Sequence, residues 1–281
     1  MGNDVMVSDF PDARQRYAVC ASQLGKGSTT AKKQRVDRRR YLAVRLRTQL
    51  GIERNFRRRY AATLDRYVRA AATAYKEQGE RGVGIAFEGQ REEMRKLLTA
   101  NYLTAGERFR SLTLEDLTGE VEARKDAESQ FERSMLDYVQ ENAVTRSALI
   151  ADTTETLVRE AIVEGVKEGD TPTTIAKRIV NTAGGAVSRL RADAIAITET
   201  HNAATFASDV TAEDTGLRLE KEWLATEDSR TRPTHSEADG QRVGMNETFT
   251  VGGYQMKRPG DPDAPAKETI RCRCTVLYHE V

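Results

Sequence analysis

His235, Cys272 and Cys274 are the residues of this 281-residue chain best suited to hold a metal ion. A neutral imidazole and two thiolates are good zinc ligands, and Asp228 or Asp239 is a candidate fourth. Structural zinc sites usually space their cysteines more widely than Cys272-x-Cys274, and such a pair can equally sit as two small buried side chains on a strand. The chain is read as needing no cofactor, with zinc the open alternative.

Acid–base chemistry has two candidate sources. Glu199 shares a helical face with Ile195, Asn202 and Ala203, which can turn its carboxylate toward a domain interior. There it could act as a general acid or base, or take an ion pair with Arg230 or Arg273, and the pair is preferred because buried carboxylates need partners. Asp228, Arg230, Arg232 and His235 follow Trp223 closely, a cluster that can serve phosphodiester chemistry or pin a loop through backbone bonds. No second acid–base partner is evident in the sequence, so the chain is expected not to be an enzyme.

The elements that position these residues differ between the two halves. Residues 1–30 read as a flexible leader, with Pro11, Gly25 and Gly27 and little periodicity. From Ala31 to about Gln78 apolar residues recur at helical intervals, predicting one long basic helix or two with a break near Gly51. Further helices are expected over Phe87–Leu112 and from Leu114 to about Gly169. Thr171-Pro172 is an N-cap followed by a first-turn proline, and another helix should run from about Val187 to Asp209. After Gly216 the pattern alternates, and the turn dipeptide Asp239-Gly240 predicts a small strand-containing element in which Trp223 and Phe249 are core. The expected fold class is α+β: long helical hairpins, then a small mixed domain of helix and short strands.

Charge is nearly balanced over the whole chain, 44 basic residues against 43 acidic, so net charge identifies no partner. Its distribution is more informative. Between Ala31 and Ala70 fourteen basic residues face only Asp37, Glu53 and Asp65, a local excess of +11. Arg38, Arg39, Arg40, Arg45, Arg47, Arg57, Arg58 and Arg59 are the candidate DNA-binding residues, since guanidinium groups suit bidentate phosphate contact. An acidic protein surface or plain solvation of the helix would also account for the run. Three cysteines make no disulfide framework and fit a reducing compartment. The first twenty residues lack an apolar signal core, and no stretch approaches a membrane span.

Several features fall in one order over roughly residues 150–278: Ile197-Thr198-Glu199-Thr200-His201-Asn202, Trp223, Asp228-x-Arg230, His235, Asp239-Gly240, Phe249 and Cys272-Arg273-Cys274. This ordered set resembles the phage Mu F-like minor head, or head morphogenesis, family. The resemblance implies a Mu F-like domain at 151–281, which follows the leader at 1–30 and the helical part at 31–150, basic at its start, that composition and periodicity mark out. It also implies a structural role in tailed-phage head assembly. The expected partners are the portal protein and the major capsid or scaffold proteins, with double-stranded DNA as a contact and no membrane. The expected location is the virion, at the head interior or portal vertex, after assembly in the host bacterial cytoplasm. The alternative is a particle-delivered, toxin-like or nucleotide-using enzyme acting through Glu199, Asp228 and His235.

Overall fold

The computed structural model describes residues 37–119 and 125–281, of which 125–129 by their backbone alone. The leader, Cys20, Lys32, Lys33 and Arg35 lie outside the described residues. Among the described residues six helices come first: α1 (Arg38–Gln78), α2 (Glu80–Phe87), α3 (Gln90–Thr118), α4 (Lys125–Lys167), α5 (Pro172–Ala183) and α6 (Gly185–Asp214). The remainder alternates short strands and turns: β1 (Leu219–Leu224), α7 (Pro233–Ala238), β2 (Arg242–Gly244), β3 (Phe249–Val251), β4 (Tyr254–Met256), α8 (Ala266–Thr269) and β5 (Thr275–Glu280). The α+β class expected from the sequence is the observed one. Among the described residues no helix is long and apolar enough to cross a membrane.

Helix α1 runs unbroken for 41 residues through Gly51, the one-helix alternative of the sequence reading. Phe56, Tyr60, Leu64 and Tyr67 keep one apolar face against Leu98, Tyr102 and Phe109 of α3, and packing of that extent outweighs the roughly 1 kcal/mol cost of one glycine. Helix α4 likewise passes through residue 150 without interruption. At the start of α5 the Thr171 hydroxyl accepts from Thr174 N at 3.3 Å, with Pro172 in the first turn, as the Thr-Pro pair predicts.

Helix α6 is buried on all sides over Ala196–Thr205. Alanine and threonine dominate that stretch, and their small side chains let the helix lie between α1 and α3 on one flank and the strands on the other. Three antiparallel strands form a sheet in the order β2-β1-β5, with Trp223 opposite Val276 and Leu224 opposite Thr275. A second pair, β3-β4, sets Phe249 opposite Met256. Trp223, Phe249, Val251, Met256, Cys272, Cys274 and Val276 make the core of this region. Two tyrosines tie it to the helices: Tyr41 Oη donates to Val276 O at 2.7 Å, and Tyr278 Oη to Asp209 Oδ1 at 2.6 Å.

Candidate metal centre and its arginine-lined cleft

Cys272 and Cys274 lie on an extended segment leading into β5, and His235 on the short helix α7. In an extended chain alternate side chains share a side, so both thiols face His235 while Arg273, between them, turns away. His235 Nδ1 is 3.3 Å from Cys274 Sγ and 3.6 Å from Cys272 Sγ, and the three donor atoms lie within 4.8 Å of one another. A tetrahedral ion with ordinary zinc–sulfur and zinc–nitrogen lengths would set such atoms about 3.6 Å apart. The cluster can therefore coordinate a metal ion such as zinc, through His235, Cys272 and Cys274.

The opposite nitrogen of the ring, Nε2, is 3.2 Å from Glu268 Oε2, which also accepts from the Thr234 hydroxyl at 2.9 Å. A carboxylate behind a ligating histidine fixes its tautomer and orientation. Glu268 reaches this position because residue 252 is glycine: a Cβ there would come within 2.8 Å of Glu268 Oε1. Trp223 packs edge-on against the His235 ring, centroids 5.4 Å apart, and Phe249 packs on Trp223 at the same separation. The donors are almost wholly buried, at 1% exposure for His235 and 2% for each cysteine. Burial by itself raises the Cys272 thiol, yet hydrogen bonds from Cys274 and the charge of Arg232 outweigh it and hold Cys272 below its usual range. Its hydrogen bond to Cys272 and its own burial push Cys274 well up.

The three donors form part of the lining of a cleft of about 680 Å³. Arg57, Arg230, Arg232, Arg271 and Arg273 line it too, against Asp193 and Asp228. Arg57 Nε is 2.8 Å from Asp193 and Arg271 Nη2 is 3.3 Å from the same carboxylate. Arg232 donates to the carbonyl of Ile270. Asp228 accepts from the backbone N–H of Arg230 at 2.9 Å and from its guanidinium at 2.7 Å, which shapes the loop after Trp223.

Glu199 is not among the residues lining this cleft. It accepts from Tyr102 Oη at 2.5 Å and lies 4.0 Å from Arg146 Nε, so its partners come from α3 and α4 and not from Arg230 or Arg273. Burial pushes its carboxyl above the ordinary range, against the opposing pull of Arg146 and Tyr102. Asp228, His235 and Glu199 are therefore not gathered into one constellation. Arg273 instead donates to Glu53 Oε2 at 2.7 Å, a carboxylate of α1 that is completely buried and also accepts from Gln49.

The other motif residues hold the chain together locally. Thr198 Oγ1 accepts from Arg271 N at 3.0 Å, where Arg271 adopts a positive φ of 59° just before the cysteines. Asn202, with its amide nitrogen turned toward α6 and the Pro-rich loop, donates to Thr198 O at 3.0 Å and to Gly260 O at 3.1 Å. Asp239 Oδ1 accepts from Ala225 N, and Gly240, at φ 78°, returns the chain so that its N–H donates to Trp223 O. Tyr102 and Glu268 are not picked out in the sequence, and Glu53 counts there only as an acid of the basic run, not as the partner of Arg273. They are single residues without a local pattern, and Glu268 alone stands near a recognisable motif, four positions before Cys272.

The basic run is partly neutralised by acids from distant elements. Arg38 pairs with Glu222 and, at 2.7 Å, with Asp239; buried Arg45 reaches Asp116 at 2.5 Å; Arg57 is held by Asp193. Arg39, Arg40, Arg47, Arg58 and Arg59 are exposed, the last stacked 4.9 Å over Phe56.

Residues 156–277 match the family described as Phage Mu protein F like protein, so the resemblance drawn from the motif order holds over this C-terminal region. Minor head protein GP7 of Bacillus phage SPP1 is 31% identical over 121 residues, 42% of this chain and 38% of that protein. NAD(+)--arginine ADP-ribosyltransferase EFV of Enterococcus faecalis is 42% identical over 66 residues, 24% of this chain and 13% of that protein. The chain thus spans less than two fifths of either relative. No solved structure matches. The expectation that the chain is not an enzyme is corrected by these findings, because a relative named for a transferase shares a segment with it and the His/Cys/Cys cluster has a metal-binding donor set.

Proposed function

With a C-terminal region of the phage minor head type as the premise, we propose that this chain works in tailed-phage head assembly. Its region 151–281 docks on the portal protein or on the inner face of the major capsid or scaffold proteins. The observation that carries this reading is the family match over residues 156–277, beside which stands the 31% identity over 121 residues to a protein named as a minor head protein. The chain is then made in the host bacterial cytoplasm and ends in the virion, at the head interior or portal vertex. Region 31–150 brings α1 toward packaged double-stranded DNA, a reading supported by exposed Arg47, Arg58 and Arg59. The test is to tag the chain in its producing cells, isolate heads on a density gradient and probe them before and after nuclease and high salt. Retention through both supports docking on protein; a chain that remains in the soluble pool overturns the assignment.

The segment shared with the Enterococcus faecalis transferase favours a second reading, a particle-delivered enzyme that uses a nucleotide. Asp228 and His235 border the same arginine-lined cleft, which supports a phosphate-bearing substrate there, whereas Glu199 faces elsewhere. Incubation of the full chain with labelled NAD and an arginine-rich acceptor tests it, label transfer supporting the reading and its absence at any chain concentration counting against it.

A further inference from the structure

The His235, Cys272 and Cys274 cluster offers three protein ligands, and its surroundings decide what stands in the fourth position. Among the described residues no other His, Cys, Asp or Glu joins the group. Glu268 is engaged by His235 Nε2 and Thr234, on the far side of the imidazole from the sulfurs. Asp228 is engaged by Arg230 and Thr231. All three donors meet the cleft, so its open volume adjoins the cluster. Closed structural sites bring four protein ligands, whereas three ligands beside a cavity leave one position for an exogenous group.

The charge of that cavity selects the group. Five arginines line it against two aspartates, and even with Glu53 counted beneath Arg273 the balance stays positive. A divalent ion bound by two thiolates and one neutral imidazole adds no net charge. Arg57 and Arg271 both pair with Asp193, and Arg232 is held by a neutral carbonyl, that of Ile270. Guanidinium groups set in this way around a partly enclosed space match the several oxygens of a phosphoryl group.

We propose that the cleft is an oxyanion site in which a phosphate group, free or carried by a nucleotide, binds at the open position of a metal held by His235, Cys272 and Cys274, clamped by Arg232 and Arg271. This rests on the donor geometry and the cleft, and it stands or falls independently of head assembly.

The full chain loaded with cobalt(II) provides the test, because thiolate-to-cobalt absorption reports the ligands and the visible d–d bands report the fourth position. Cobalt should bind with thiolate absorption that is weakened in Cys272→Ser and in Cys274→Ser. Inorganic phosphate, added at constant ionic strength, should shift the d–d bands. Arg232→Gln and Arg271→Gln should raise the phosphate concentration needed by about ten-fold each while leaving the thiolate absorption in place. A parallel titration with AMP separates the two sources: a tighter response than to phosphate assigns a nucleotide, an equal one assigns the oxyanion alone, and both uphold the site. Bands indifferent to phosphate and AMP would mean a closed centre and overturn the proposal, as would cobalt binding without thiolate absorption.

Discussion

His235 presents Nδ1 to two cysteine sulfurs and, at 3.2 Å, Nε2 to Glu268 Oε2. The carboxylate thus selects the tautomer whose lone pair points at the metal position, and it strengthens the ring as a ligand. Glu268→Ala should weaken zinc binding by about ten- to a hundred-fold, read by competition with a chromophoric chelator. Glu268→Gln, which retains an acceptor oxygen, should fall between. Affinity unchanged in both variants would rule out Glu268 as the group that orients the histidine.

Arg273 turns the other way and neutralises Glu53, whose side chain is completely buried in α1. Removing one partner of such a pair strands the other in a medium that solvates it poorly. Arg273→Met should cost about 3–5 kcal/mol in urea unfolding, reduced to the extent that Arg57, 3.9 Å from Glu53, takes over. The double variant Glu53→Leu/Arg273→Met should regain most of the loss. A double variant no more stable than the single one would show that the pair is not what Arg273 contributes.

His201, buried on α6, is pushed down to about 3 from 6.5, chiefly because burial penalises the charged ring. The unfolded chain takes up this proton more readily than the folded one. The contribution is therefore fully present above pH 6.5 and is lost as pH falls toward 3, at about 1.4 kcal/mol per pH unit. Urea-denaturation stability measured from pH 7 to 4 should decline more steeply for the parent chain than for His201→Leu. Parallel declines would mean that His201 titrates normally in the fold.

Exposed Arg47, Arg58 and Arg59 are the surviving test of the DNA contact, because Arg38, Arg45 and Arg57 are already engaged by carboxylates of this chain. If the three arginines meet phosphates, their replacement by glutamine should weaken duplex binding about equally for all sequences. It should also lower the slope of log affinity against log salt by about three. An unaltered slope would remove DNA from the partners of α1.

The sequence by itself determined the features that depend on neighbours along the chain. Helical periodicity marked α1, α3, α4 and α6 but not the short α2, Thr171-Pro172 marked the start of α5, and Asp239-Gly240 marked the turn that returns to Trp223. The order of motifs from Thr198 to Cys274 was enough to indicate the family over the C-terminal region, and the residue types alone nominated His235, Cys272 and Cys274 as donors. Only the tertiary structure decided which charges meet. Glu199 finds Tyr102, Arg273 finds Glu53, and Arg38 finds Glu222 and Asp239, across separations of 97, 220, 184 and 201 residues. Electrostatic pairing depends on distance through space and on burial, and neither is encoded in local spacing. For the same reason the basic run of α1 reads as unbalanced in one dimension, while in the folded chain Arg38, Arg45, Arg57 and Arg66 are answered by carboxylates from other elements.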